Sequence, residues 1–161
     1  MKNTMIFSAI LAAGSLLAAP SETVIQDAAF NYVENAAKVN DPAASDKSAG
    51  KMDSTKGWTL TYSVPKTLFG ARVMSISLRT DCKDPKGAFS VGVYNRKTKK
   101  IVLVKRLKAV DYAKDSYQDV SFSKWDFKEG DYIFIGSILP KNVAPGNIFV
   151  DKISFKPEPI K

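Results

Sequence analysis

The chain of 161 residues carries 24 Lys and Arg against 16 Asp and Glu, a formal net charge of +8. It has no histidine, which excludes Ser-His-Asp and Cys-His nucleophilic sites and ordinary histidine-based zinc sites. Its single cysteine, Cys82, excludes an internal disulfide. The basic charge suits nucleic acid, an anionic membrane or an acidic polysaccharide. The lysines are scattered, however, and the densest patch, residues 96–100, is typical of a solvated hairpin tip.

The first 21 residues are predicted to be a secretion signal. Lys2 gives a positive start, residues 5–19 form a mostly apolar run, and the small residues at 18–21 suit a cleavage site. The run is too short for a good membrane span. We therefore expect a secreted, periplasmic or cell-surface protein whose mature part of about 140 residues is one domain.

The sequence from Gly57 onward is predicted to form short β-strands. Apolar and polar residues alternate in 58–64 and again in 73–78, as in half-buried strands. Further strands are predicted around 89–93, 101–104, 120–122, 132–139 and 147–155, with Gly, Pro and Asp turns between them. At least seven short strands at regular spacing predict a β-sandwich or barrel. The predicted core contains Trp58, Leu60, Tyr62, Met74, Ile76, Phe89, Val91, Phe134, Ile153 and Phe155.

The last predicted strand, residues 147–155 (NIFVDKISF), contains a carboxylate among apolar residues. Alternation with period two places Phe149, Asp151, Ile153 and Phe155 on one face. A buried charge in such a row needs a paired group or a metal. The same alternation places Tyr132 beside Phe134, and we expect that face to be core.

The N-terminal part of the domain allows two interpretations. Apolar residues from Val24 to Ala36 also fit one face of a helix. Four other stretches, residues 41–52, 57–65, 128–132 (KEGDY) and 147–155, together resemble the galactose-binding-like jelly rolls, which include many carbohydrate-binding modules. The resemblance implies an antiparallel jelly-roll β-sandwich over residues 22–156, with strand and loop rather than helix over 22–40. Pro157 and Pro159 predict a flexible tail at 157–161.

The resemblance also implies a structural calcium. In many of these modules, an acidic residue near the first strand and the Asp of the last strand hold the ion, and here Asp27 and Asp151 match those positions. Calcium takes six to eight oxygen ligands, so two carboxylates and backbone carbonyls can suffice. The alternative is that Asp151 accepts hydrogen bonds from backbone N–H groups or pairs with a basic side chain.

A sugar site needs an exposed aromatic ring together with polar side chains that bond the hydroxyls. In an antiparallel sandwich successive loops alternate between the two ends, so the loop before Asn147 is predicted to share an end with loops 53–57, 80–87 and 107–116. Tyr112 is the predicted stacking platform, and Asn147 matches a family position that often bonds ligand. The predicted ligand residues are Tyr112, Asn147, Arg79, Trp58 and Asn142. The alternative is the opposite end, around Tyr94 and Trp125.

These features predict a non-catalytic module that binds a glycan or polysaccharide. Two other classes stay open: a structural or adhesion subunit of the cell surface, and a small polysaccharide-active enzyme, since polysaccharide lyases work with Tyr, Lys and Arg. Nucleic-acid binding needs basic residues interleaved with exposed aromatics. Residues 94–97 are the only hint of that pattern, so no nucleic-acid partner is predicted.

Overall fold

The computed structural model describes residues 21–34, 36–53, 57, 59–137 and 146–158. Over these residues the chain forms β-strands and three short 3₁₀ helices at Asp27–Ala29, Lys66–Leu68 and Ala109–Tyr112. The strands are β1 Thr23–Gln26, β2 Asn31–Tyr32, β3 Ala37–Asn40, β4 Ser48–Asp53, β5 Leu60–Ser63, β6 Gly70–Thr80, β7 Ala88–Asn95, β8 Lys100–Lys108, β9 Gln118–Ser121, β10 Trp125–Phe127, β11 Asp131–Ser137 and β12 Asn147–Pro157.

The strands form two antiparallel sheets. The first, sheet A, has the order β10-β6-β12-β4-β3, with β1 also paired to β12 and β9 to β6. The second, sheet B, has the order β2-β5-β11-β7-β8. The predicted antiparallel β-sandwich of jelly-roll type is confirmed. The described residues within 22–40 form β1, a 3₁₀ turn, β2 and β3, so the strand interpretation is confirmed over the helical one.

One core lies between the sheets. Tyr62, Met74, Val91 and Phe155 belong to it, and the Tyr62 and Phe155 rings stand 6.5 Å apart across the two sheets. The predicted core residues that the structure places in this cluster are Leu60, Tyr62, Met74, Ile76, Phe89, Val91, Ile153 and Phe155. Trp58 lies outside the described residues. No helix among the described residues is long and apolar enough to cross a membrane.

The prediction for Phe134 is wrong about its face. The neighbouring residues Ile133 and Ile135 are fully buried in the core, so strand alternation turns Phe134 and Tyr132 to the outer face of sheet B. Phe134 is nevertheless 0% exposed. The sequence pattern was ambiguous because residues 132–135 are all apolar or aromatic, and alternation assigns no face in such a run.

The prediction that Asp151 shares a face with Phe149, Ile153 and Phe155 is also wrong. Val150 pairs with Leu78 and Lys152 with Ser77, so Asp151 is the extra residue of a β-bulge. A bulge resets the alternation of the strand. Ile153 and Phe155 therefore face the core, whereas Phe149 lies on the outer face under the Arg79 guanidinium. Strand β12 continues through Pro157, the first residue of the predicted tail.

The tight packing of sheet B around Gly92 gives a stability prediction. A Cβ at Gly92 would lie 2.1 Å from the Leu103 carbonyl oxygen and 3.0 Å from Phe134 Cζ. Because the backbone of β8 cannot move without breaking its pairing, we expect Gly92→Ala to lower the free energy of unfolding by at least about 2 kcal/mol. Urea unfolding at neutral pH measures the change.

Gly57→Ala is the matched control, because no atom of the described residues lies within 4 Å of a Cβ at Gly57. It should change the stability by less than about 1 kcal/mol, through the unfolded chain alone. Equal stabilities for the two variants would contradict the packing described around Gly92.

Candidate functional site

The predicted grouping of loops at one end is confirmed by the strand pairing. Asn147 at the start of β12 pairs with Asp53 at the end of β4, and the next residue, Ile148, pairs with Thr80 at the end of β6. The Ala109–Tyr112 turn follows β8 and is tied to the same end, because Thr80 Oγ1 donates to the Ala109 carbonyl at 3.1 Å. We call this end of the sandwich the loop end.

Asn147 at the loop end is held by Asp81. Its side-chain amide donates to Asp81 Oδ2 at 2.7 Å, its backbone N–H donates to Oδ1, and Asp81 N–H donates back to the Asn147 carbonyl at 3.1 Å. The Asn147 side chain therefore holds the segment after β6 to the start of β12.

Tyr112 is less exposed than the polar sequence around it predicted. Its ring packs edge-on against Phe89, with centroids 5.8 Å apart and planes at 77°, and it is half-buried against the core. Burial, with a smaller contribution from Asp111, raises the pKa of the Tyr112 hydroxyl. The ligand roles of Tyr112 and Asn147 stay predictions, and Trp58 and Asn142 lie outside the described residues.

Arg79, another predicted ligand residue, is part of a cluster on the outer face of sheet A. Its guanidinium bonds Asp41 Oδ2 at 2.7 Å and stacks 4.1 Å from the Phe149 ring centroid. The Tyr117 hydroxyl donates to the same Asp41 oxygen at 2.7 Å, and the Ala43 N–H donates to Oδ1 at 3.0 Å. These contacts tie the 41–47 loop and the segment before β9 to the sheet.

The two predicted metal residues lie close together. Gln26 pairs with Lys152 across β1 and β12, so Asp27 follows beside Asp151. Asp151 Oδ1 accepts from the Ser45 N–H at 2.9 Å and from Ser45 Oγ at 2.8 Å. Asp27 is 0% exposed, and its carboxylate accepts from Ser48 Oγ at 3.1 Å and faces the Lys38 ammonium, 3.1 Å from Oδ2.

The oxygen atoms around Asp27 fit a hard cation in part. Among the described residues, Gln26 Oε1 is buried without a hydrogen bond, and Asp27 Oδ2 is buried with only the Lys38 ammonium beside it, at 3.1 Å. Oxygen is the ligand type that calcium takes. Against this, the Lys38 ammonium already provides a positive charge there. Among the described residues no group of three or more His, Cys, Asp or Glu stands in position to hold a metal.

A pair of tyrosines on sheet B was not predicted as a binding feature, apart from the mention of Tyr94 at the alternative end. Tyr94 and Tyr132 pair across β7 and β11, and their half-buried rings lie 5.2 Å apart on the outer face. The Arg96 guanidinium lies 4.6 Å from the Tyr132 centroid. A correct assignment of the faces of β11 would have revealed the pair. Tyr94 and Tyr132 each stand next to a core-facing residue along their strands, so both face outward.

No family model and no curated protein matches the chain. Among solved structures, the chain is similar to the CBM36-1 domain of a multidomain xylanase from the hindgut metagenome of Trinervitermes trinervoides. That match has a TM-score of 0.57 and 8% identity, and it covers 87% of this chain and 100% of the other. Another is the C-terminal CBM6 of a marine laminarinase from Zobellia galactanivorans, with a TM-score of 0.52, 14% identity and coverage of 85% and 100%.

A third similar structure is a family 35 carbohydrate-binding module from Clostridium thermocellum. Its TM-score is 0.52, with 15% identity and coverage of 83% of this chain and 97% of the other. At such identities the likeness shows the fold alone. The jelly-roll fold that the sequence resemblance implied is therefore confirmed, and it is the fold of these carbohydrate-binding modules. The chain spans nearly the whole of each of the three neighbours.

The Arg79 cluster gives a pH prediction. Burial raises the pKa of the Asp41 carboxyl, but hydrogen bonds from Tyr117, Arg79 and Ala43 lower it more, so the pKa lies below its usual range. A lowered pKa in the folded state stabilises the protein above the unfolded pKa of about 3.9 and loses that stabilisation as the pH falls toward the folded pKa. Stability should therefore decline below about pH 4.

Asp41→Asn tests this assignment by denaturant unfolding at pH 7, 4 and 3. The variant should be less stable at pH 7 by about 2 kcal/mol, because Arg79 and Tyr117 lose their charged acceptor. Its stability should then fall less than that of the wild type between pH 4 and pH 3. The same acid-induced loss in both proteins would contradict a lowered pKa for Asp41.

Proposed function

We propose that this chain is an exported, non-catalytic carbohydrate-binding module. The observation that carries the proposal is the pair of aromatic rings, Tyr94 and Tyr132, on the outer face of sheet B beside Arg96. Aromatic rings offer a large apolar surface at low cost in conformational entropy, and such a surface suits the C–H face of a pyranose. A neighbouring guanidinium offers several N–H donors to hydroxyl or acidic groups.

Both rings are held by paired strands, which supports a role in binding. Tyr132 lies in β11, the central strand of sheet B, between β5 and β7. Sites held by strands are more precisely oriented than sites held by loops. The outer face of sheet B therefore presents its rings in a fixed arrangement, and the chain loses little freedom when a glycan binds.

The site assignment predicts the effect of removing one ring. Tyr132→Ala should weaken binding to the preferred polysaccharide about tenfold, because a truncated aromatic anchor typically costs more than 1 kcal/mol. Tyr132→Phe should bind like the wild type, since it keeps the ring. The measurement is affinity electrophoresis followed by calorimetric titration, with xylan, laminarin, polygalacturonate and alginate as probes.

Matched variants locate the site. Arg96→Gln changes an exposed residue beside the rings, whereas Tyr112→Ala and Asn147→Ala change the loop end. Loss of binding in Tyr112→Ala and Asn147→Ala, with Tyr132→Ala unaffected, would move the site to the loop end. The absence of binding to any probe, or release of reducing ends from a probe, would contradict the proposed function.

We also propose that Asp27 and Asp151 form a calcium site in which the Lys38 ammonium competes with the metal. The support is the buried Gln26 Oε1, which has no hydrogen bond among the described residues, and the buried Asp27 Oδ2, whose described partner is the Lys38 ammonium at 3.1 Å. A bound calcium would link the end of β1 to the bulge of β12 and to the 41–48 loop.

The competition predicts how Lys38→Met responds to calcium. In chelator this variant should melt below the wild type, because Asp27 is buried and loses its positive partner. Millimolar calcium should restore the melting temperature by binding only the folded state. Lys66→Met, at an exposed lysine of a 3₁₀ turn, is the control and should show neither effect. If calcium raises the melting temperature of neither wild type nor Lys38→Met, the metal proposal fails.

A further inference from the structure

An open pocket lies at the end of the sandwich opposite the loop end. It has a volume of about 270 Å³ and lies between the β7–β8 turn, strand β10 and the turn that precedes β11. The half-buried side chains of Trp125 and Val102 supply its apolar lining, and the exposed side chains of Lys97, Lys128 and Glu129 supply its charges. We call this the Trp125 pocket.

The indole of Trp125 is held in a fixed position by a buried carboxylate. Trp125 Nε1–H donates to Asp131 Oδ2 at 3.1 Å, and the Lys128 N–H donates to the same oxygen at 3.1 Å. Asp131 is 3% exposed. The polar edge of the indole is thus satisfied inside the protein, and the half-buried ring packs against the core on one part and lines the pocket on another.

The same carboxylate fixes the opposite wall. Asp131 Oδ1 accepts from Asn95 Nδ2 at 2.6 Å, and Asn95, 4% exposed, also donates to the Glu129 carbonyl at 3.1 Å. Asn95 Oδ1 accepts from the Thr98 N–H at 3.0 Å. One buried Asn–Asp pair thus holds the hairpin tip, the turn before β11 and the indole together, which makes the pocket a preformed one.

A β-bulge places the remaining apolar wall. Val93 pairs with Leu103 and Tyr94 with Ile101, so Val102 is the extra residue of β8. Bulges redirect a side chain out of the regular alternation of a strand. Without the extra residue, the regular alternation of β8 would continue from Leu103 to the tip of the hairpin. Val102 would then be paired with β7 like its neighbours.

The charges of the pocket select the ligand. Lys97 and Glu129 neutralise each other in a pair at 2.5 Å, whereas the Lys128 ammonium has no carboxylate partner among the described residues. The pocket therefore combines an aromatic ring with an exposed ammonium that pairs with no described carboxylate, while the Asp131 carboxylate behind the indole is buried and bonded by N–H groups of Asn95, Trp125 and Lys128. Its volume lies just under the range of about 300–1,000 Å³ for small-molecule sites, which suits a single ring rather than a chain.

We infer that the Trp125 pocket binds one acidic pyranose, such as a terminal uronic acid residue of a glycan. The C–H face of the sugar ring lies on the indole, and the Lys128 ammonium bonds the carboxylate. This inference rests on the proposed glycan-binding function, and it adds a second site that is distinct from the outer face of sheet B.

The test uses the full chain labelled with 5-fluorotryptophan, in which Trp125→Phe assigns the ¹⁹F signal of Trp125. The probes are two matched pairs of sugars that differ by a carboxylate: glucuronate with glucose, and galacturonate with galactose. We expect the acidic sugars to shift the Trp125 signal saturably and the neutral sugars to bind at least about threefold more weakly, the effect of one exposed ion pair.

Lys128→Gln should abolish the preference for the acidic sugar and leave the neutral sugar unchanged. Lys86→Gln is the matched control, because Lys86 is an exposed lysine that does not line the pocket. Equal shifts for acidic and neutral sugars would overturn the ligand class. A Trp125 signal that no sugar moves, while the polysaccharides still bind through Tyr132, would overturn the pocket and leave the proposed function standing.

Discussion

The pairing of β6 with β12 is the constraint on which the rest of the structure depends. Both strands have 11 residues, and β12 is bordered by β6 on one side and by β4 and β1 on the other. Because side chains alternate along a strand, a register slip of one residue would exchange its two faces. The bulge at Asp151 fixes that register. It allows one strand to present Phe149 outward at its start and Phe155 inward at its end.

The bulge also explains why a carboxylate interrupts an apolar strand. Asp151 leaves the regular ladder at the point where the 41–48 loop crosses the sheet, and there it accepts two hydrogen bonds from Ser45. A charge is tolerated in a buried position when such donors replace its water. The four buried aspartates of the described chain each tie an irregular segment to a sheet in this way: Asp27, Asp41, Asp131 and Asp151.

The role of these aspartates has a consequence for the surface. The protein has a net charge of +8, and part of its negative charge is enclosed with partners inside the fold. Asp27 and Asp41 pair with Lys38 and Arg79, whereas Asp131 and Asp151 are bonded by neutral donors such as Asn95, Trp125 and Ser45. The exposed surface therefore carries fewer carboxylates than the composition indicates, while the net charge of the protein is unchanged.

The sequence allowed the architecture to be predicted, but not the faces of individual strands at irregular points. Clean alternation at Leu60–Tyr62 and Met74–Leu78 identified core strands correctly, and loop parity placed Asn147 beside Asp81 at one end. The faces of Phe149 and Phe134 were wrong for different reasons. A bulge is invisible to a period-two pattern, and a continuous apolar run such as residues 132–135 carries no alternation to read.

Contacts between distant residues account for what the sequence did not reveal about the candidate sites. The Trp125 pocket needs Asp131, Asn95 and the bulge at Val102, which come from three different strands. No local motif marks such an assembly. Tyr112 was selected because polar neighbours suggested exposure, yet its ring packs on Phe89, a residue 23 positions away in the sequence.

The candidate surfaces differ in the hydrogen bonds that fix their side chains in place. At the loop end, Asn147 and Asp81 bond each other, so a ligand there must share or replace existing hydrogen bonds. On sheet B and in the Trp125 pocket, the hydrogen bonds that fix the rings lie in the strand ladder or at the buried edge of the indole. A ligand could then stack on such a ring without breaking a hydrogen bond of the protein, although at Tyr132 it would share the ring with the Arg96 guanidinium. Because only the surplus of contacts over such costs becomes affinity, the proposed glycan sites on the strand-held aromatic surfaces would need fewer new contacts than a site at the loop end.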